Sequence, residues 1–142
     1  MTQPFSRIRR ALLQGVEDSP YDLPFASDNM SFEDIKPKNP SLPWGGVFIF
    51  PNQPTAVTCG DDGEDEHTGI IQLDLNYPVG SGENAVTAKC DELAGFFKAG
   101  KPLFYQGVKV TVLNCGRSRG RQVDGWWRVS VTIGWSSRVP RS

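Results

Sequence analysis

The run Ile70-Ile71-Gln72-Leu73-Asp74-Leu75-Asn76-Tyr77 decides the fold class. Ile71, Leu73, Leu75 and Tyr77 are apolar, while Gln72, Asp74 and Asn76 between them are polar. Successive side chains of a strand point to opposite faces, so this period of two predicts a half-buried strand with one wet face. Downstream, residues 78–82 supply a turn, and Ser81 is placed to cap the helix that follows. Val86, Cys90, Leu93 and Phe97 then recur at helical spacing within residues 83–98, giving an amphipathic helix that stops at Gly100. Val108, Val110 and Val112 alternate again, as do Trp127, Val129, Val131, Ile133 and Trp135. These two stretches predict a hairpin joined by residues 114–124, a connection rich in Gly and Arg.

Upstream, residues 46–50 are continuously apolar, the pattern of a short strand buried on both faces, and Pro51 and Pro54 end it. In residues 18–43, Pro20, Pro24, Pro37, Pro40 and Pro43 each remove a backbone donor and turn the preceding residue away from helix. That segment reads as an extended arm with at most one short strand, around Met30-Ser31-Phe32. Residues 4–14 read as a short helix with Pro4 at its first position, Gly15 as its stop, and Phe5, Ile8 and Leu12 on one stripe. The sum is an α+β fold: a small mixed, largely antiparallel sheet of about four strands, one main helix packed on a face, a short N-terminal helix and long loops. A chain of 142 residues has room for one such domain, with the helix in 1–15, the proline-rich arm in 16–43 and the sheet-plus-helix core in 44–136.

Composition narrows the function classes. Fifteen basic and sixteen acidic side chains nearly cancel, against the clear basic excess of a dedicated nucleic-acid binder. Three cysteines with no close pair make no disulfide framework and point to a reducing compartment. Ala11-Leu12-Leu13 runs directly into Gln14 and the acids Glu17 and Asp18, so no secretory leader is legible. Val47-Phe48-Ile49-Phe50 is far too short to cross a bilayer. The expectation is a soluble chain made in the cytoplasm, without membrane contact or sequence-specific nucleic-acid binding.

Each chemical motif has a plainer reading beside it. Gly80-Ser81-Gly82-Glu83-Asn84-Ala85 matches a dinucleotide fingerprint, in which glycines admit a pyrophosphate to a helix N-terminus. The strand before it alternates, where a central parallel strand is apolar throughout, and a flexible turn into a helix explains it better. Cys59, Asp61, Asp62 and His67 contain metal-ligand types, but there is no paired cysteine spacing and only one histidine. Asp61-Asp62-Gly63-Glu64-Asp65-Glu66 lacks the alternation of a calcium loop, and it reads as a solvated acidic loop. Cys59 with His67 as a thiol–imidazole pair has nothing local to align it, and Cys90 on the apolar stripe is core. No catalytic, cofactor or metal residue is therefore assigned. Arg117, Arg119 and Arg121 at the hairpin tip fit phosphate contact, a polar partner surface facing the acids of an adjacent copy, or simple solvent exposure. Trp126 shares its face with Arg128, Ser130 and Thr132, where a lone large aromatic marks a contact surface. The candidate interface is thus Asp61, Asp62, Glu64, Asp65, Glu66, Arg117, Arg119, Arg121 and Trp126.

The order of these segments carries a resemblance. Leu23-Pro24 through Asn29 and Phe32 precede His67-Thr68-Gly69-Ile70-Ile71-Gln72-Leu73-Asp74, then Tyr77-Pro78 with Gly80 and Gly82. The helix to Phe97, Gly107-Val108-Lys109-Val110 and Trp126-Trp127-Arg128-Val129-Ser130-Val131-Thr132-Ile133 follow. Over roughly residues 4–136 this resembles the tail terminator, or tail completion, family of lambda-like siphophages. The resemblance implies a mixed sheet flanked by helices, assembled as a hexameric ring at the head-proximal end of the tail tube. Such a ring ends tube polymerisation and docks head-completion or neck proteins, so its partners are other copies, the tube protein and a neck protein. It implies a place in the virion tail, reached from the host cytoplasm during assembly, and no catalytic residues. A head–tail connector of the neck is the alternative, and a small enzyme or nucleotide binder using residues 80–85 or Cys59 with His67 is the reading from another class.

Overall fold

The computed structural model describes residues 3–33, 35–37 and 41–141; Pro40, counted above in the arm, lies outside them. Helix α1 (Pro4–Asp18) has its proline in the first turn but runs through Gly15, the expected stop. Gly15 is instead a packing seat: a Cβ there would lie 2.9 Å from a Leu103 methyl, so only glycine lets the helix approach that strand so closely. The helix ends at Ser19, whose amide and hydroxyl both donate to the Val16 carbonyl. Ile8, Ala11, Leu12 and Val16 face the core, while Phe5 of the expected stripe is 67% exposed.

The expected strand at residues 30–32 is absent. Strand β1 (Phe25–Ser27) forms earlier and pairs parallel with β2 (Trp44–Pro51), and a turn with Asn29 at φ 62° follows it. The expectation that β2 is buried on both faces holds only for its first half, because Phe50 and Pro51 are exposed. After β3 (Thr55–Ala56) comes β4 (Glu64–Pro78), which starts inside the acidic segment read as a loop. Helix α2 (Asn84–Phe96) leads to β5 (Pro102–Tyr105), β6 (Val108–Arg117), β7 (Arg121–Val123) and β8 (Trp126–Pro140).

Among the described residues the sheet therefore has eight strands, not about four, in the order β1-β2-β4-β8-β6-β5 with β3 on β4 and β7 on β8. The pairs beyond β1–β2 are antiparallel, including the expected β6–β8 pair. The strands missing from the sequence reading are two to four residues long, too short for a period of two to register. Two of them close on two-residue turns, Gln106-Gly107 and Asp124-Gly125, with positive φ at both positions, the geometry that matches strand twist.

One face of the sheet carries Val47, Ile71, Leu73, Leu75, Val129, Val131, Ile133 and Trp135, all buried. Both helices cover it, not one: Ile8, Leu12 and Val16 of α1 join the same cluster as Val86, Cys90 and Leu93 of α2, with Phe97 just beyond. Full burial of each such side chain stabilises the fold by about 2 kcal/mol before entropy is counted. A bulge between Val112 and Asn114 shifts the β6 register, returning Cys115 and Arg117 to the helix-covered face.

Candidate functional site

The second face of the sheet is polar at its centre. Asp74, Asn76 and Ser130 are buried there; Asp74 Oδ1 accepts from Ser130 Oγ at 2.7 Å and from Gln72 Nε2 at 2.9 Å. Asn76 Oδ1 accepts from Arg128 Nε at 2.7 Å, fixing the guanidinium along the sheet. Aromatic rings flank this network. Trp126 is 6% exposed and stands edge-on to Trp44 at 5.9 Å, so it is a buried ring and not the exposed contact residue that alternation indicated. Phe32 meets Trp44 edge-on at 5.7 Å, which covers part of the face that the sequence left bare. Trp127, expected in the core, is half-buried and packs against the core's edge.

The expected arginine surface divides. Arg117 is engaged inside the chain: its guanidinium donates to Thr87 Oγ1 at 3.1 Å and pairs with Glu83 at 3.4 Å. Glu83 stands at the start of α2, where its carboxylate also accepts from the Trp127 indole at 2.8 Å; that bond, aided by Thr87 and Arg117, lowers its pKa. Glu83 makes no side-chain bond to the first amides of α2, but it sets a negative charge beside the phosphate position of a fingerprint reading, which opposes binding of an anion there. Ser81 does not cap that helix; its hydroxyl donates to the Pro78 carbonyl, closing the turn two residues too early to reach the helix amides. Arg119 and Arg121 are exposed and make no ion pair with any described residue. Arg121 lies directly opposite Arg128 across the β7–β8 pair.

The acidic segment divides as well. Asp61 and Asp62 form an exposed turn, whereas Glu64, Asp65 and Glu66 are half-buried residues of β4. Arg141, unnoticed in the sequence, grips this turn from the end of β8. Its guanidinium pairs with Asp65 and donates to the carbonyls of Thr58, Gly60 and Glu64. Glu66 stands opposite Arg138 on β8 without forming an ion pair.

Cys59 is exposed, while His67 is 5% exposed and edge-on to Phe5 at 5.6 Å. Burial holds the His67 imidazole below its usual pKa, and Asp65 acts in the opposite sense. Burial pushes the Cys90 and Cys115 thiols up. His67 lines a cavity of about 310 Å³ with Phe5, Ile8, Arg9, Ile49 and Trp135. The Trp135 indole N–H has no acceptor among the described residues. Among those residues no cluster of three or more His, Cys, Asp or Glu is placed to hold a metal ion, and no helix is long and apolar enough to cross a membrane.

Comparison with known proteins adds the family. A family model described as Phage tail terminator protein matches residues 7–135, from the first turns of α1 into β8. No curated protein matches the chain in sequence. A solved structure whose title states no function is similar with a TM-score of 0.72 and 19% identity, covering 93% of this chain and 94% of that one. At that identity the likeness speaks for the fold.

Proposed function

The chain belongs to the phage tail terminator family and is a structural component of the virion tail; on that premise we propose that it caps the head-proximal end of the tail tube as a ring of copies. The cap ends tube polymerisation and presents a surface on which head-completion or neck proteins dock. The ring is hexameric, it is assembled in the host cytoplasm, and it acts without catalysis, metal or cofactor. The observation that carries this reading is the family match, which takes in both helices and most of the sheet. The distribution of charge supports it: arginines that form no ion pair with any described residue and exposed carboxylates on one near-neutral chain suit association between copies.

Electron microscopy of lysates from phage with this gene disrupted tests the proposal. Overlong tails of variable length, lacking heads, are expected, because only loss of a cap lets the tube keep growing. Tails of uniform normal length that fail to join heads would instead make this a neck connector.

A further inference from the structure

We propose that the arginine tip of one copy, Arg119 and Arg121 with Arg128 behind them, docks on the acidic turn Asp61-Asp62 of a second copy. Among the described residues the tip cations form no ion pair of their own. Arg121 and Arg128 are direct cross-strand partners, and like charges so placed repel. The Asp124-Gly125 turn fixes β7 against β8, and Asn76 holds Arg128, so the two cations stay close. No described carboxylate forms an ion pair with Arg119, Arg121 or Arg128. Arg117 is excluded from the contact because Glu83 already holds it.

The turn is the complementary element. Arg141 takes up Asp65 and three backbone carbonyls at the base of the turn, so Asp61 and Asp62 are held outward at its tip, exposed and in no ion pair with a described residue. A preorganised charged knob loses little entropy on docking. The two patches also cannot meet within one chain. Arg128 lies near the start of β8, while the turn adjoins the other end, where Glu64 pairs with Pro140. Twelve residues of extended strand separate them, about 40 Å at the rise of a β-strand. Contact therefore runs from one copy to the next, head to tail, and such a contact generates a ring when the rotation closes. Ring closure rests on the function proposed above; the pairing of patches does not.

Light scattering on the purified full chain and two charge-reversed forms tests the docking. Arg119→Glu with Arg121→Glu, and separately Asp61→Lys with Asp62→Lys, should each weaken self-association at least about tenfold. The parent's association should weaken similarly in about 0.5 M salt, where screening is strong. Mixing the two reversed forms should restore assembly, since each then presents the opposite charge to its neighbour. All four positions are exposed, and circular dichroism reports whether the variants stay folded. A parent that stays monomeric, reversed forms that assemble like the parent, or a mixture that fails to recover would each overturn the proposal. The function can fail separately: tails of normal length after gene disruption, beside restored assembly in the mixture, would sink the cap and leave the docking intact.

Discussion

At the scale of single residues, His67 makes the fold sensitive to acid. Its imidazole is buried against Phe5, and burial lowers its pKa below the ordinary value of 6.5. The unfolded chain therefore binds a proton at a pH where the folded chain does not. The stabilisation is complete above about pH 6.5 and is lost as the pH falls toward the lowered value. Calorimetry between about pH 7.5 and 5.5 should show the melting temperature falling, and His67→Gln should flatten that slope. An unchanged slope in the variant would assign the acid sensitivity to other groups. Nothing in the sequence marked this role. A lone histidine beside acids reads as a ligand or a base, and the Phe5 ring that stands edge-on to it is distant in the chain. The same holds for Arg141, which reads as one more basic residue until the pairing of β4 with β8 brings it to the acidic turn.

At the scale of elements, the long periodic segments were legible and the short ones were not. The apolar alternation of β4, β6 and β8 and the Val86–Cys90–Leu93–Phe97 stripe all face the core as the spacing predicted. Strands β1, β3, β5 and β7 exist because neighbours offer them a ladder, so their own residues carry little signal. The segment after α1 shows what replaced the free arm. Tyr21 is buried, and its hydroxyl donates to the Asp74 carbonyl at 2.6 Å, tying the chain to β4 across 53 residues. That hydroxyl sits where a side chain at residue 45 would project, so Gly45 is required: a Cβ there would fall 1.7 Å from it. Tyr21→Phe keeps the ring and removes only the bond, leaving the buried carbonyl short of one donor. It should cost about 1 kcal/mol in urea unfolding, and hydrogen exchange should quicken in β1 before it does in β4. No loss of stability would mean that packing of the ring alone anchors the segment.

At the scale of the whole molecule, the sheet is organised around one long ladder. The fifteen-residue strands β4 and β8 pair along their full length, from Glu64 with Pro140 to Pro78 with Trp126. Partners in that ladder are 48 to 76 residues apart in the chain, so large loops must close before the ladder's own non-local contacts can offset the entropy lost. Refolding should accordingly take milliseconds to seconds, slower than a helical bundle of the same length. The ladder is also central, flanked by β2 on one side and β6 on the other, and its core-facing residues Leu73 and Val131 are covered by the helix-bearing layer. Their amides should exchange only through global unfolding, while the edge strands β1 and β5 and the short β3 and β7 open locally at lower free energy. Native-state hydrogen exchange against denaturant resolves the two classes. If the Leu73 and Val131 amides exchanged with β5, below the global unfolding free energy, the β4–β8 ladder would not be the stable spine. A rigid spine with weakly held edges also suits the proposed cap. The patches proposed to join neighbouring copies lie at opposite ends of β8, so the distance between them is set by the most stable part of the molecule.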